Sequence, residues 1–204
     1  MEEKLKILAA GDFHGDSSLA ERLANQADKE KVSLVILNGD IVEDENPITG
    51  VIGPFLNKNK KVIIIPGNHE SPATAEFLKE HYNIFNLHGY YMIYKNVGIF
   101  GCGGANVGLT QVTDEEMIEI LKRGFEKVKH AKTKVMVTHI HPAGTAMEKF
   151  SRFVTGSKGL TKAIYELQPD IVVCGHVHEA EGIEEKLGKT RVINVGKKGR
   201  ILEV

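Results

Sequence analysis

Short apolar runs that end directly in polar, glycine-containing loops are the feature that most constrains the fold of this chain. The clearest run is residues 62–65, which is followed by Pro66, Gly67, Asn68, His69 and Glu70. An apolar run this short, ended by Pro and Gly, is typical of a buried strand rather than a helix. In an open α/β sheet, ligands bind outside the carboxyl ends of the strands. We therefore expect the chemistry of this protein to lie in such loops.

Four other apolar runs end in the same way and supply aspartate, histidine and asparagine. They are residues 5–10 before Asp12 and His14, 34–37 before Asn38 and Asp40, 134–138 before His139 and His141, and 171–174 before His176 and His178. The sequence thus predicts five strands whose following loops carry polar side chains.

Helical patterns alternate with the strands and predict βαβ crossovers in the first eighty residues. We expect helices from a capping box at Ser18 to about residue 31, over a glycine-interrupted segment at 48–55, from an N-cap at Ser71 to about 81, from a capping box at Thr113 to about 130, and over 160–167. Residues 90–94 and 97–101 predict a β-hairpin, and residues 182–204 predict short antiparallel strands turning at 188–189 and near 196–199. A purely parallel sheet is therefore excluded, and a second or a mixed sheet is expected.

Composition favours a single domain over residues 1–204 that needs no disulfide to fold. Lys and Arg number 26 against 27 Asp and Glu, and no basic stripe is present, so a nucleic-acid polymer is an unlikely partner. The apolar runs are much shorter than the roughly 20 residues of a membrane helix. Cys102 and Cys174 lie in different apolar runs, which fits a reducing compartment. We expect a soluble, cytoplasmic protein with no membrane association.

Seven of the loop side chains form a donor set of oxygen and imidazole only. They are Asp12, His14, Asp40, Asn68, His139, His176 and His178. A lone histidine beside an apolar run is more often structural, but seven donors at the same ends of five strands favour a metal site. The absence of cysteine from the set favours manganese, iron, cobalt, nickel or catalytic zinc over structural zinc. Seven donors exceed the need of one ion, so we expect two ions with a bridging carboxylate, an arrangement that recurs in phosphate ester hydrolysis.

The motifs DFHG, NGD, GNHE, THIH and GHVH, in this order, resemble the five blocks of the calcineurin-like metallophosphoesterases. The resemblance implies a four-layer α/β/β/α sandwich of two mixed sheets with two divalent ions at one edge, manganese being favoured. It implies that Asp12, His14 and His178 bind the first ion, that Asn68, His139 and His176 bind the second, and that Asp40 bridges them. It also implies that His69 is not a ligand but contacts the phosphoryl group and protonates the leaving oxygen.

Within that superfamily the C-terminal half is most similar to the Icc-related phosphoesterases, through PAGT at 142–145, QPD at 168–170 and GHVHE at 175–179. Two positions differ: His141 stands where those relatives tend to carry proline, and Val195 interrupts their usual Asn-Pro-Gly. Neither position is a predicted ligand, and His141 is a candidate for altering substrate contacts. The protein Ser/Thr phosphatases of the superfamily carry an arginine soon after the bridging aspartate, whereas residues 43–45 here are acidic. A phosphoprotein substrate is therefore disfavoured.

The resemblance implies hydrolysis of phosphodiester or phosphomonoester bonds in small or nucleotide-like substrates, with diesters favoured. Arg152 and Lys158, near Phe150 and Phe153, are candidate substrate contacts or ordinary surface residues. Glu70 has two possible roles, to orient His69 or to stabilise the start of the following helix. The alternative functions are a non-catalytic metal-binding scaffold of the same fold and a nuclease, and a homo-oligomer stays open.

Overall fold

The structure is a computed structural model that describes residues 4–43, 50–151 and 154–204. The strands are β1 Lys6–Ala10, β2 Leu34–Asn38, β3 Lys61–Ile65, β4 Phe85–Asn86, β5 Tyr91–Tyr94, β6 Val97–Cys102, β7 Thr133–Thr138, β8 Ile171–Cys174, β9 Glu184–Leu187, β10 Thr190–Asn194 and β11 Arg200–Glu203. The helices are α1 Ser17–Lys29, α2 Gly53–Asn57, α3 Pro72–Tyr82, α4 Asp114–Val128 and α5 Lys158–Leu167. Two 3₁₀ turns cover Met147–Lys149 and His178–Ala180.

The strands form two mixed sheets. The first has the order β11-β1-β2-β3-β4, in which β11 is antiparallel to β1 and the other neighbours are parallel. The second has the order β5-β6-β7-β8-β10-β9, in which the two edge strands are antiparallel to their neighbours. Helices α1, α2 and α3 cover the first sheet, and α4 and α5 cover the second. The predicted α/β/β/α sandwich is confirmed.

The inner strands are apolar throughout because both of their faces are covered. In β2, Leu34 and Ile36 point into the core between the two sheets, while Val35 and Leu37 pack in the layer that contains α1. All four side chains are buried. This two-sided burial explains why the strand shows a continuous apolar run instead of the alternation of a half-exposed strand.

Two of the predicted helix N-caps are confirmed. Ser71 caps α3 by accepting a hydrogen bond from the backbone of Thr74, and Thr113 forms a reciprocal capping box with Glu116 at the start of α4. The expected capping box at Ser18 is wrong. Asp16 is the N-cap of α1, and its carboxylate accepts the hydrogen bond of the Leu19 N–H at 2.9 Å.

The tail of the chain differs from the expectation in one strand. The β9–β10 hairpin is confirmed, with its turn at Gly188 in the left-handed region. The expected antiparallel pairing across residues 196–199 is wrong, because β10 pairs in parallel with β8 while β11 crosses to the other sheet and pairs with β1. The chain between β10 and β11 thus passes from the second sheet to the first. The predicted hairpin of β5 and β6 is also confirmed, with Lys95 and Asn96 both at positive φ in its turn.

The predicted helix at 48–55 is wrong at residues 50–52, which are described but not helical, and only the short α2 from Gly53 is found. Residues 48 and 49 lie outside the described ranges. Among the helices of the described residues, none has the length and apolar character that crossing a bilayer requires.

Candidate metal centre

The seven predicted donors all lie in loops at the carboxyl ends of strands. Two follow β1, one follows β2, one follows β3, one follows β7 and two follow β8. The tertiary structure gathers the carboxylates and imidazoles into three overlapping groups, whose potential ligand atoms lie within 4.8 Å of one another: Asp12, His14 and His178; His14, Asp40 and His69; and Asp40, His139 and His176. The loops of both sheets therefore meet at one edge of the sandwich.

In the first group, the ring nitrogens of two histidines lie close to each other. His14 Nε2 lies 3.2 Å from His178 Nε2, and His178 Nε2 lies 3.8 Å from Asp12 Oδ1. Neutral imidazoles carry a lone pair on one ring nitrogen, which makes that nitrogen a metal ligand. Burial lowers the pKa of His14, which favours this neutral form.

The third group, Asp40, His139 and His176, is built around His139, whose ring is fully buried. His139 Nδ1 lies 2.9 Å from the carbonyl oxygen of Asn38, which only accepts hydrogen bonds, so Nδ1 carries a proton and donates it. The other nitrogen, Nε2, lies 3.0 Å from Asn68 Oδ1 and 3.3 Å from Asp40 Oδ2. A backbone carbonyl bound to the far side of a histidine ring is the usual device that orients a metal-binding histidine.

The pKa values in this group reflect the two buried carboxylates beside the histidine rings. Burial lowers the pKa of His139, but Asp40 and Asp12 raise it by more, to about 10. Burial also lowers the pKa of His176, to about 3, which keeps that ring neutral. Either a proton or a metal ion at His139 Nε2 would offset the negative charge of the carboxylates.

Asp40 belongs to the third group and also faces His14 of the first group. Its Oδ2 atom is 3.7 Å from His14 Nε2 and 3.3 Å from His139 Nε2, and its Oδ1 accepts a hydrogen bond from the His69 N–H at 3.1 Å. Its pKa is lowered: burial opposes this, but the pairing with His139 outweighs burial. A ligand that bridges two ions must present an oxygen to the donors of both ions. Asp40 Oδ2 does so, because it faces both His14 and His139.

Two buried donor atoms of the cluster have no hydrogen-bond partner within the described residues. They are Asp12 Oδ2 and His176 Nε2. A buried polar atom without a partner is costly and calls for an unseen water or ion. The donor set, its convergence and these atoms together fit divalent metal ions.

The backbone at four of the donors is left-handed. Asp12, His14, Asp40 and His176 have φ angles of 56°, 47°, 49° and 72°. Residues other than glycine avoid this region at a cost of order 1 kcal/mol or more, although Asp and His tolerate it better than most. Such backbone strain concentrates at functional sites, because the surrounding structure must hold the side chains in place there.

His69 lies at the edge of the cluster. Its ring meets that of His14 edge to face, with centroids 4.8 Å apart, and it is partly exposed. The grouping of His69 with His14 and Asp40 means that distance alone permits it to act as a ligand. Its role as a general acid stays a prediction.

Two residues carry functions that the sequence did not reveal. The sequence indicates for Asn38 only a position in the loop before Asp40, but its carbonyl orients His139 and its side chain donates to the carbonyl of Thr138 at 3.3 Å. The Glu70 carboxylate is expected either to orient His69 or to stabilise the start of the following helix. Its hydrogen bonds are different: the buried carboxylate accepts them from the backbone of two loops that carry predicted ligands. Only the position of Asn38 at the end of a strand facing the site could have indicated its function.

Lys158 lies apart from the donor cluster, at the first residue of α5. It lines a cavity of about 500 Å³ together with Asn106, Gln111 and Thr155. This cavity borders the loop that contacts the predicted ligand Asn68, since the Leu109 N–H donates to the Asn68 carbonyl at 2.8 Å. The other substrate candidate, Arg152, lies outside the described ranges, as does Phe153.

His141 is not accessible for the direct substrate contact that its position suggested. The His141 side chain is fully buried, so no substrate can touch it in this conformation. Of the acidic residues at 43–45, only Glu43 is described. Its carboxylate is half exposed and lies 3.5 Å from His14 Nδ1, at the mouth of the cluster.

Comparison with known families matches residues 5–180 to the calcineurin-like phosphoesterase family model. The fold, the match over most of the chain and the donor cluster agree, and the chain belongs to the calcineurin-like phosphoesterase family. Comparison with curated proteins gives no match.

Solved structures support the fold. The protein TT1561 of Thermus thermophilus is 16% identical with a TM-score of 0.74, and the alignment covers 98% of this chain and 99% of that one. An archaeal phosphodiesterase is 19% identical with a TM-score of 0.57 over 98% and 100% of the two chains. A dimetal phosphatase from Danio rerio is 12% identical with a TM-score of 0.61 over 95% and 87%. At these identities the likeness establishes the fold alone.

Proposed function

We propose that this protein is a dinuclear metal-dependent phosphoesterase that hydrolyses small phosphodiesters. The observation that carries the proposal is the position of Asp40 Oδ2 between His14 Nε2 and His139 Nε2, with further donors converging on either side. Asp12, His14 and His178 would hold one ion, Asn68, His139 and His176 the other, and Asp40 both. Two divalent ions held there would supply an activated water and neutralise charge on the phosphoryl oxygens.

The protein itself positions the groups that act on the substrate. The His69 backbone N–H donates a hydrogen bond to Asp40 Oδ1. Asp40, the proposed bridge between the ions, therefore also fixes the loop that carries His69, the proposed general acid. Its ring is partly exposed and contacts the His14 ring, which would place it near the leaving oxygen of a substrate bound over the cluster. A positioned general acid of this kind accelerates the departure of a basic alkoxide.

The preference for a diester rests on charge at the mouth of the cluster. A diester carries one negative charge and a monoester close to two at neutral pH, so the Glu43 carboxylate repels the monoester more strongly. The described residues that line the cavity beside the cluster include Lys158 and two carboxylates, Asp114 and Glu148. We propose Lys158 as a contact for an anionic or polar substituent of the substrate. Structures of similar fold include both a phosphodiesterase and a phosphatase, so the preference must be measured.

The test is hydrolysis by metal-free protein refilled with single divalent ions, with manganese expected to support the highest rate. We expect bis-p-nitrophenyl phosphate to be cleaved faster than p-nitrophenyl phosphate. Glu43→Gln should narrow the ratio of the two rates, because it removes the charge that discriminates between them. Glu119→Gln, on the exposed face of α4, is the matched control and should leave the ratio unchanged.

Faster cleavage of the monoester at saturating metal would refute the diester preference. Absence of hydrolysis on a broad panel of phosphate esters, with two ions bound per chain, would instead favour the non-catalytic scaffold. Preferential cleavage of DNA or RNA over small diesters would favour the nuclease.

A further inference from the structure

Glu70 is a fully buried carboxylate that touches two loops at once. Its Oε1 accepts hydrogen bonds from the Ile41 N–H at 2.7 Å and the Val42 N–H at 2.9 Å. Its Oε2 accepts from the Asp40 N–H at 3.0 Å and the Gly67 N–H at 2.7 Å. Each oxygen is thus satisfied by two backbone donors, and charge-assisted hydrogen bonds of this type are the strong ones.

The two loops are those that carry the predicted bridge and a predicted ligand of the second ion. Residues 40–42 follow β2 and include Asp40, while Gly67 directly precedes Asn68 in the loop after β3. Oε2 contacts both loops, so it sets the spacing between them. The loops also pack closely, since a Cβ added at Gly39 would lie 2.6 Å from the Cα of Gly67. The Asp40 backbone at φ 49° is in a conformation that needs such external support.

We propose that Glu70 is a positioning residue for the metal centre, which holds the Asp40 and Asn68 loops at the separation that lets one ion bind both side chains. The inference rests on the proposed dinuclear function. Glu70 offers no free oxygen to an ion, because both oxygens are occupied by backbone donors, and it therefore acts through the loops. Thr110 fixes Glu70 in turn, since its hydroxyl donates to the Glu70 carbonyl at 2.6 Å.

The decisive variant is Glu70→Gln, which preserves shape but replaces one acceptor oxygen with an amide donor. Two backbone N–H groups would then face a donor, and the loops would separate. Calorimetric titration of the metal-free protein with Mn²⁺ should show a dissociation constant raised roughly 10- to 100-fold, the usual loss when an outer partner of a metal ligand is removed. Circular dichroism and urea unfolding on the same samples verify that the variant is folded.

Glu148→Gln is the matched control. The Glu148 carboxylate likewise accepts two backbone hydrogen bonds, from Gly144 at 2.8 Å and Gly156 at 2.9 Å. Both donors lie between β7 and α5, and neither is adjacent in sequence to the predicted ligand His139 of that segment. Its removal should loosen a loop and lower the urea midpoint while leaving the Mn²⁺ dissociation constant unchanged. The comparison separates positioning of the metal site from a general loss of loop order.

Thr110→Val provides a milder perturbation if Glu70→Gln fails to fold. It deletes only the hydroxyl that holds Glu70, so Mn²⁺ affinity should fall in the same direction by less, and Thr110→Ser should restore it. Unchanged Mn²⁺ affinity in a folded Glu70→Gln protein, or in Thr110→Val when Glu70→Gln does not fold, would overturn the inference. An equal loss of affinity in Glu148→Gln would do the same. Failure of the unmodified protein to bind Mn²⁺ would instead count against the proposed function.

Discussion

Asp40 joins the two halves of the candidate centre, so its removal tests the dinuclear arrangement most directly. Because Oδ2 faces both His14 and His139, we expect Asp40→Ala to lose most of both ions, as measured by elemental analysis of purified protein after dialysis against manganese. Asp12→Ala is the comparison, since Asp12 belongs to only one of the groups and its loss should spare the other ion. Two ions retained per chain in Asp40→Ala would exclude a bridging role.

His69 decides between general acid catalysis and metal ligation. We expect His69→Ala to keep both ions and to lose roughly 100- to 10,000-fold in rate on a diester with an alkyl or ribose leaving group. The loss should be smaller on a nitrophenyl ester, because nitrophenolate departs without a proton. Steady-state kinetics on both substrates, with metal content measured alongside, give the answer.

Each alternative role of His69 has its own signature. Equal losses on both esters would mean that His69 stabilises the phosphoryl oxygens. Loss of one ion would make it a ligand, as its grouping with His14 and Asp40 permits. No loss of activity on either ester would remove the catalytic role.

Helix α4 shows how local hydrogen bonds stabilise an element that contributes no predicted metal donor. Thr113 Oγ1 accepts the Glu116 N–H at 3.2 Å, and the Glu116 carboxylate accepts the Thr113 N–H at 2.9 Å. Thr113→Ala should therefore lower the free energy of unfolding by about 1 kcal/mol, measured by urea denaturation. Manganese affinity should not change, and Glu119→Ala in the same helix serves as the control for a surface substitution. A loss of metal affinity would mean that α4 couples to the centre.

The start of α5 provides a test of the cavity beside the centre. Lys158 lines this cavity, whereas Lys162, one turn later, is exposed on the same helix and is not among the cavity residues. We expect Lys158→Ala to raise KM for a diester with an anionic or polar substituent while kcat stays nearly constant, because the lysine contacts a group remote from the reacting phosphorus. Lys162→Ala should change neither constant. Identical kinetics for both variants would remove Lys158 from the substrate site.

On the scale of the whole molecule, the candidate centre ties the two sheets together. Its donors follow β1, β2 and β3 of one sheet and β7 and β8 of the other, so an ion that binds them binds only the folded chain. A ligand at 100 times its dissociation constant stabilises the folded state by about 2.7 kcal/mol. We expect Mn²⁺ to raise the urea midpoint of the metal-free protein accordingly and a chelator to reverse the rise. The Asp40→Ala protein should show little change, and a similar gain there would mean that manganese binds elsewhere.

The sequence by itself determined the elements whose causes are local. The buried strands follow from continuous apolar runs, α4 from its capping box and apolar spacing, and the β5–β6 turn from two residues that tolerate positive φ. The loop positions of the seven donors also follow locally, because each stands directly after a strand. Their order along the chain was enough to indicate the family.

Only the tertiary structure decided which of these loops meet and how. His139 finds its orienting carbonyl at Asn38, 101 positions earlier in the chain, and Glu70 finds three of its four donors 28 to 30 positions earlier. Strand β11 likewise pairs with β1, from the opposite end of the chain, and not with its neighbour β10. Local periodicity carries no information on such contacts, because they depend on the register and packing of the two sheets. The packing of the two sheets therefore places the loops that carry the metal-donor side chains.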